Sequence, residues 1–110
     1  MKKIYIAGKV SGEPIASCTK KFRLAQKEIE SMGFDGINPF EVVMDFKATW
    51  NVAMKKCVKA LIDCDAMVIL PCWQDSKGAK IERQLAEDLD IPIFNYNKSG
   101  LNVLKKNLNN

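Results

Sequence analysis

A small doubly wound parallel α/β sheet is the architecture this sequence predicts, on three observations. Short β-rich runs alternate with amphipathic segments of helix length along the chain. One run, Ala66-Met67-Val68-Ile69-Leu70, is apolar without a break, as a strand covered on both faces requires. The length of 110 residues, with 47% hydrophobic and 27% charged, suits one soluble globular domain over residues 1–110 with a single core.

The elements follow in order. Lys3-Ile4-Tyr5-Ile6-Ala7 is a strand, ended by Gly8 and a loop holding Gly12 and Pro14. Over 17–32, Phe22, Ala25, Ile29 and Met32 recur at steps of three and four between charged residues, and Gly33 follows, the signature of an amphipathic helix and its stop. Residues 34–38 read as a second strand terminated by Pro39, and 40–49 as an irregular stretch. A helix is expected over 50–63, with Trp50, Met54, Cys57, Val58 and Leu61 as its buried stripe. The apolar strand over 65–70 leads into a loop over 71–75. Ser76 then caps a third helix reaching about Leu89, followed by a strand over 91–94. Leu101, Leu104 and Leu108 mark a brief final helix.

Composition excludes several function classes. The net charge of +4, from 17 basic and 13 acidic residues spread along helices, suits an anionic small molecule and carries no nucleic-acid signature. The longest apolar run is of strand length, so no membrane partner is expected. No secretory signal precedes Gly8, and a cytoplasmic protein is expected. Histidine is absent, which removes histidine triads and histidine metal sites and leaves acid–base work to carboxylates, tyrosine, cysteine or lysine. Cys18, Cys57, Cys64 and Cys72 form no C-x-x-C motif or zinc spacing, so free buried thiols are expected and a redox role is disfavoured.

In a parallel sheet the ligand sits outside the carboxyl ends of the strands, where strand order reverses. The first and third strands are the expected neighbours there, so the loops over 8–14 and 71–76 should line the crevice. The first loop offers Gly8, Lys9 and Ser11, a plain turn or an anion cradle. The second opens a helix whose N-terminus favours an anion. On that helix Gly78, Glu82 and Ala86 share a face, leaving Glu82 without a basic partner one turn away. Gly78 costs about 1 kcal/mol against alanine, which suggests close approach of a ligand or tight packing on the sheet.

Taken together, Lys3 to Gly8, Asn38-Pro39, Cys64-Asp65-Ala66, Leu70-Pro71-Cys72-Trp73 and Ser76-x-Gly78-Ala79-x-x-Glu82 resemble the nucleoside 2-deoxyribosyltransferase superfamily over residues 3–95, closest to a small branch described as a domain of unknown function. The resemblance implies a flavodoxin-like or Rossmann-like fold of about four or five strands. It makes Glu82 a nucleophile at the anomeric carbon of a deoxyribose and Tyr5 the group that orients it, a retaining double displacement resolved by water or a second base. It also places Ser76 at the phosphate of deoxynucleoside 5′-monophosphates, as in the N-hydrolases of that group. Lys9, Asn38, Trp73, Gly8 and Gly78 complete the expected substrate site, with Trp73 a candidate for stacking on a base. No metal or organic cofactor is implied.

One position departs from the pattern. Where the relatives carry an aspartate that serves the leaving base, this chain has Cys57, a poor acid near neutral pH. Asp63, Asp65 or Asp75 would have to substitute, although Asp65 falls at the wrong end of its strand. The expected function is N-glycosidic cleavage or transfer on a nucleoside or its 5′-monophosphate. The alternative is a non-catalytic nucleotide-binding module. A homo-oligomer is expected, because the relatives complete their sites from a neighbouring subunit.

Overall fold

The structure, a computed structural model, describes residues 1–45 and 47–108. Four parallel strands form one sheet: β1 (Lys3–Ala7), β2 (Asp35–Ile37), β3 (Ala66–Ile69) and β4 (Ile93–Asn95), in the order β2-β1-β3-β4. The doubly wound α/β architecture is therefore present, with β1 and β3 adjacent as expected. Ile4, Tyr5, Ile6 and Ala7 lie opposite Ala66, Met67, Val68 and Ile69.

Strand alternation divides the core into two layers. On one face, Ile4, Ile6, Ala66 and Val68 pack against Phe22, Ala25 and Ile29 of α1 (Ile15–Ser31) and Leu101 and Leu104 of α5 (Lys98–Leu108). On the other, Tyr5, Ala7, Met67 and Ile69 meet Cys57 and Leu61 of α3 (Trp50–Ile62) and Ala86 of α4 (Lys77–Asp88). The apolar run of β3 is buried at every position because helices cover both faces.

Element boundaries moved where the chain found a hydrogen bond that the pattern does not display. Helix α1 starts two residues early, since Pro14 presets φ at −58° and its carbonyl accepts the Cys18 N–H. Its end is as read: Gly33 adopts φ +90° and its N–H bonds the Glu30 carbonyl. The irregular stretch over 40–49 contains the end of a short helix, α2 (Pro39–Val43); Phe46 lies outside the described residues. Asn38-Pro39, read as a strand stop, is also a cap followed by proline at the first helical position, and the Asn38 side chain accepts the Phe40 N–H. Residues Pro71–Asp75 form a 3-10 turn rather than an open loop. Strand β4 begins two residues late, because the Ile91 N–H is spent on the Ala86 carbonyl, closing α4 through Asp90 at φ +56°. Of the single domain expected over 1–110, Asn109 and Asn110 lie outside the described residues. Among the described residues, no helix is long and apolar enough to cross a membrane.

Candidate active site at the carboxyl ends of β1 and β3

A crevice of about 840 Å³ opens beyond the carboxyl ends of β1 and β3, at the point where strand order reverses. Both expected loops line it, the first through Gly8, Ser11 and Gly12 and the second through Asp75 and Ser76, with Lys77 following at the start of α4. A third wall comes from the segment between β2 and β3: Phe40, Val43 and Met44 at the end of α2, then Trp50, Ala53, Met54 and Cys57 of α3. The α3 positions recur at three and four residues, so one helical face makes the wall. That stripe reads as core in the sequence. Its lower end, Cys57 and Leu61, is core; its upper end, where Trp50 is exposed and Met54 half-buried, borders the crevice instead.

Glu82 forms part of the crevice lining and is only 5% exposed. It lies on the small-residue stripe of α4, with Ala79 and Ala86 buried beside it. The Tyr5 hydroxyl, projecting from β1 into the same layer, donates to Glu82 Oε2 at 2.7 Å in a buried bond. Tyr5 engages Oε2, and among the described residues no hydrogen bond engages Oε1. Burial pushes the Glu82 carboxyl up to about 7, with the Tyr5 bond pulling the other way. Burial first, and the adjacent Glu82 second, hold the Tyr5 hydroxyl well above its ordinary value, so the proton in this bond stays on tyrosine. Cys57 stands beside both; burial pushes its thiol up, leaving it a neutral, weak donor. The group can therefore supply a carboxylate that ionises around neutrality, with one oxygen fixed and the other free.

The remaining expected site residues separate. Ser76 lines the crevice and also caps α4, its Oγ accepting the Ala79 N–H at 3.1 Å. Gly78 lines it too, and a Cβ there would meet Met54 Sδ at 3.0 Å, so its glycine lets α3 approach α4 closely. Gly8 likewise faces Leu70, whose Cδ1 lies 2.7 Å from where a Cβ would stand. Lys9, Asn38 and Trp73 are not among the described lining residues. Asn38 is 4% exposed, capping α2 with its side-chain oxygen and donating to Gln26 Oε1 at 3.1 Å. Trp73 packs against the Tyr5 layer, with the Arg83 guanidinium over its ring. The crevice tryptophan is Trp50, and Lys77 places its ammonium 4.3 Å from the centre of that ring. Lys77, rather than Lys9, is thus the basic residue at the mouth. Neither substitution was readable, because each depends on how α3 leans on α4.

Asp65 sits at the opposite end of the sheet, its carboxylate accepting the Lys3 N–H at 2.8 Å. Of the three aspartates considered as substitutes for the missing acid, only Asp75 is among the described lining residues. No cluster of three or more cysteine, aspartate or glutamate side chains among the described residues could hold a metal ion. No curated protein matches the chain. Residues 2–95 match the family model described as a domain of unknown function, DUF4406, and the chain belongs to that family.

Proposed function

We propose that this protein cleaves or transfers the N-glycosidic bond of a nucleoside, or of its 5′-monophosphate, with Glu82 as nucleophile. The observation that carries the reading is the buried Tyr5–Glu82 pair at the base of a crevice large enough for a nucleotide. The resemblance to nucleoside 2-deoxyribosyltransferases supplies the chemistry. Glu82 Oε1 attacks the anomeric carbon, the bond to the base breaks with its electron pair going to the base, and a glycosyl ester forms on the glutamate. Water or a second base then attacks the same carbon and frees the carboxylate, giving retention overall. Tyr5 steers the reaction to a single oxygen by occupying the other.

Ser76, Lys77 and the N-terminus of α4 favour a substrate with a 5′-phosphate, since a hydroxyl, an ammonium and free N–H groups converge there. Trp50, Met54 and Phe40 give the base an apolar wall. Exposed Val10, Ile15 and Met44 border the same mouth, and a second copy of the chain is the partner expected to cover them.

The test is incubation with a pool of deoxynucleosides and their 5′-monophosphates, followed by chromatography for free bases. Wild type should release base and Glu82→Ala should not, while melting close to wild type. Release by Glu82→Ala would overturn the assignment. A second reading, a nucleotide-binding module without turnover, is favoured by the neutral Cys57 thiol beside Glu82. Calorimetric binding of a nucleotide with no base released would select it.

A further inference from the structure

Two cysteines distant in sequence bond the same residue, Lys9: Cys18, which lines the crevice, and Cys72, in the turn after β3. Cys72, in the 3-10 turn after β3, is half-buried. Its Sγ receives two donors, the Lys21 ammonium of α1 at 3.2 Å and the Lys9 N–H at 3.4 Å. Cys18, one turn earlier on α1 than Lys21, donates its thiol to the carbonyl of the same Lys9 at 3.3 Å. Lys21 Nζ also reaches that carbonyl, at 3.5 Å. Both sulfurs are therefore held on one residue, Cys72 by the N–H of Lys9 and Cys18 by its carbonyl, and the Lys21 ammonium reaches both Cys72 Sγ and that carbonyl.

Cys72 Sγ is thus the acceptor of both an ammonium and an N–H, with no acceptor engaging its own hydrogen among the described residues, the arrangement that suits a sulfur nucleophile. Glu13, 3.9 Å from Lys21 Nζ, is the acid facing this group and competes for the same charge. Cys18 differs from Cys72 in role: its hydrogen is committed to the Lys9 carbonyl, and burial pushes its thiol up despite Lys21. Cys57 and Cys64 are buried, and burial pushes both thiols up, that of Cys64 to about 12.

We infer that Cys72 and Cys18 are an oxidant-responsive thiol pair, Cys72 attacking a hydroperoxide and Cys18 closing the disulfide. The Cys72 thiolate attacks the peroxide oxygen; an S–O bond forms, the O–O bond breaks, and the alkoxide or hydroxide leaves with a proton as alcohol or water. The Cys18 sulfur then attacks the sulfenic sulfur of Cys72, an S–S bond forms, and hydroxide leaves, taking the Cys18 proton as water. The peroxide is reduced by two electrons and the two thiols supply them. Because Gly8 and Cys18 line the crevice, the bridge would tie the turn after β3 to α1 across the loop at its mouth. The inference is independent of the glycosidic reading.

Limiting iodoacetamide on the native protein, with peptide mapping, should label Cys72 first, about tenfold or more ahead of Cys57 and Cys64. Lys21→Met should slow the labelling of Cys72 and leave that of Cys57 unchanged. Hydrogen peroxide should lower the intact mass by two hydrogen atoms and yield a linked peptide containing Cys18 and Cys72. Cys18→Ser should instead hold Cys72 as a sulfenic acid that dimedone captures. Labelling of Cys72 no faster than Cys57, or peroxide oxidation without the Cys18–Cys72 peptide, would overturn the inference.

Discussion

The two faces of the sheet have the same strands and opposite contents. Toward α1 and α5, β1 presents Ile4 and Ile6, and Phe22 fills the space above them, edge-on to Phe40 at 5.5 Å between ring centres. Toward α3 and α4 the same strand presents Tyr5 and Ala7, met by Cys57, Ala86 and Glu82. The first layer is closed by large apolar side chains. The second also has large side chains, Leu61, Met67 and Ile69, but around Tyr5 it holds Cys57, Ala86 and a buried polar pair, and it opens into the crevice that Glu82 lines. Close packing stabilises one face, while the other carries the cost of a buried carboxyl.

Breaking the closed face should have the largest effect. Phe22→Ala removes a fully buried ring and should lower stability by about 3–5 kcal/mol in denaturant unfolding, a large share of the total for a domain of this size. It should leave the titration of Glu82 where it was, since Phe22 lies in the other layer.

The open face should show its cost in pH dependence. The Glu82 carboxyl is raised from 4.5 to about 7, so the folded protein keeps a proton that the unfolded chain has already released. Its contribution to stability is therefore fully present below about pH 4.5, declines as pH rises to about 7, and is level beyond. The decline should be on the order of 3 kcal/mol. Glu82→Gln, uncharged throughout, should flatten that part of the stability–pH curve and be the more stable protein at pH 8. If Glu82 acts as an ionised nucleophile, base release by wild type should rise with pH through the same midpoint.

Smaller changes sharpen the contrast within the open face. Tyr5→Phe removes the bond that draws the Glu82 carboxyl down, so the midpoint of base release should move to higher pH. Stability should fall by about 1–2 kcal/mol for the lost buried bond. Ser76→Ala should cost about 1 kcal/mol as a lost helix cap. A greater loss of activity toward 5′-monophosphates than toward nucleosides would add a phosphate role to the cap.

How legible each part was follows from the range of the interaction that makes it. The stripe residues Phe22, Ala25 and Ile29, the Gly33 stop and the Ser76 cap are local, and each lies within a few residues of its partner. Glu82 was legible as a candidate because Gly78, Ala79 and Ala86 surround it on one helix face. The Asn38 cap of α2 is present in the sequence too, in the cap-then-proline signal, although Asn38-Pro39 reads there as a strand end and Asn38 as a substrate-site residue.

Alternating periodicity alone determined an α/β sheet with β1 beside β3, and hence the address of the crevice, because covered parallel strands leave few other arrangements. Part of what stands there was decided only by the tertiary structure. The Tyr5–Glu82 pairing, across 77 positions, is one the family resemblance implies, whereas the Lys21–Cys72 contact, across 51, comes from the tertiary structure alone. The tertiary structure also decided that Trp50 and Lys77, not Trp73 and Lys9, border the mouth. Such pairings depend on how helices lean across the sheet, a property of packing between elements that no residue pattern within one element records.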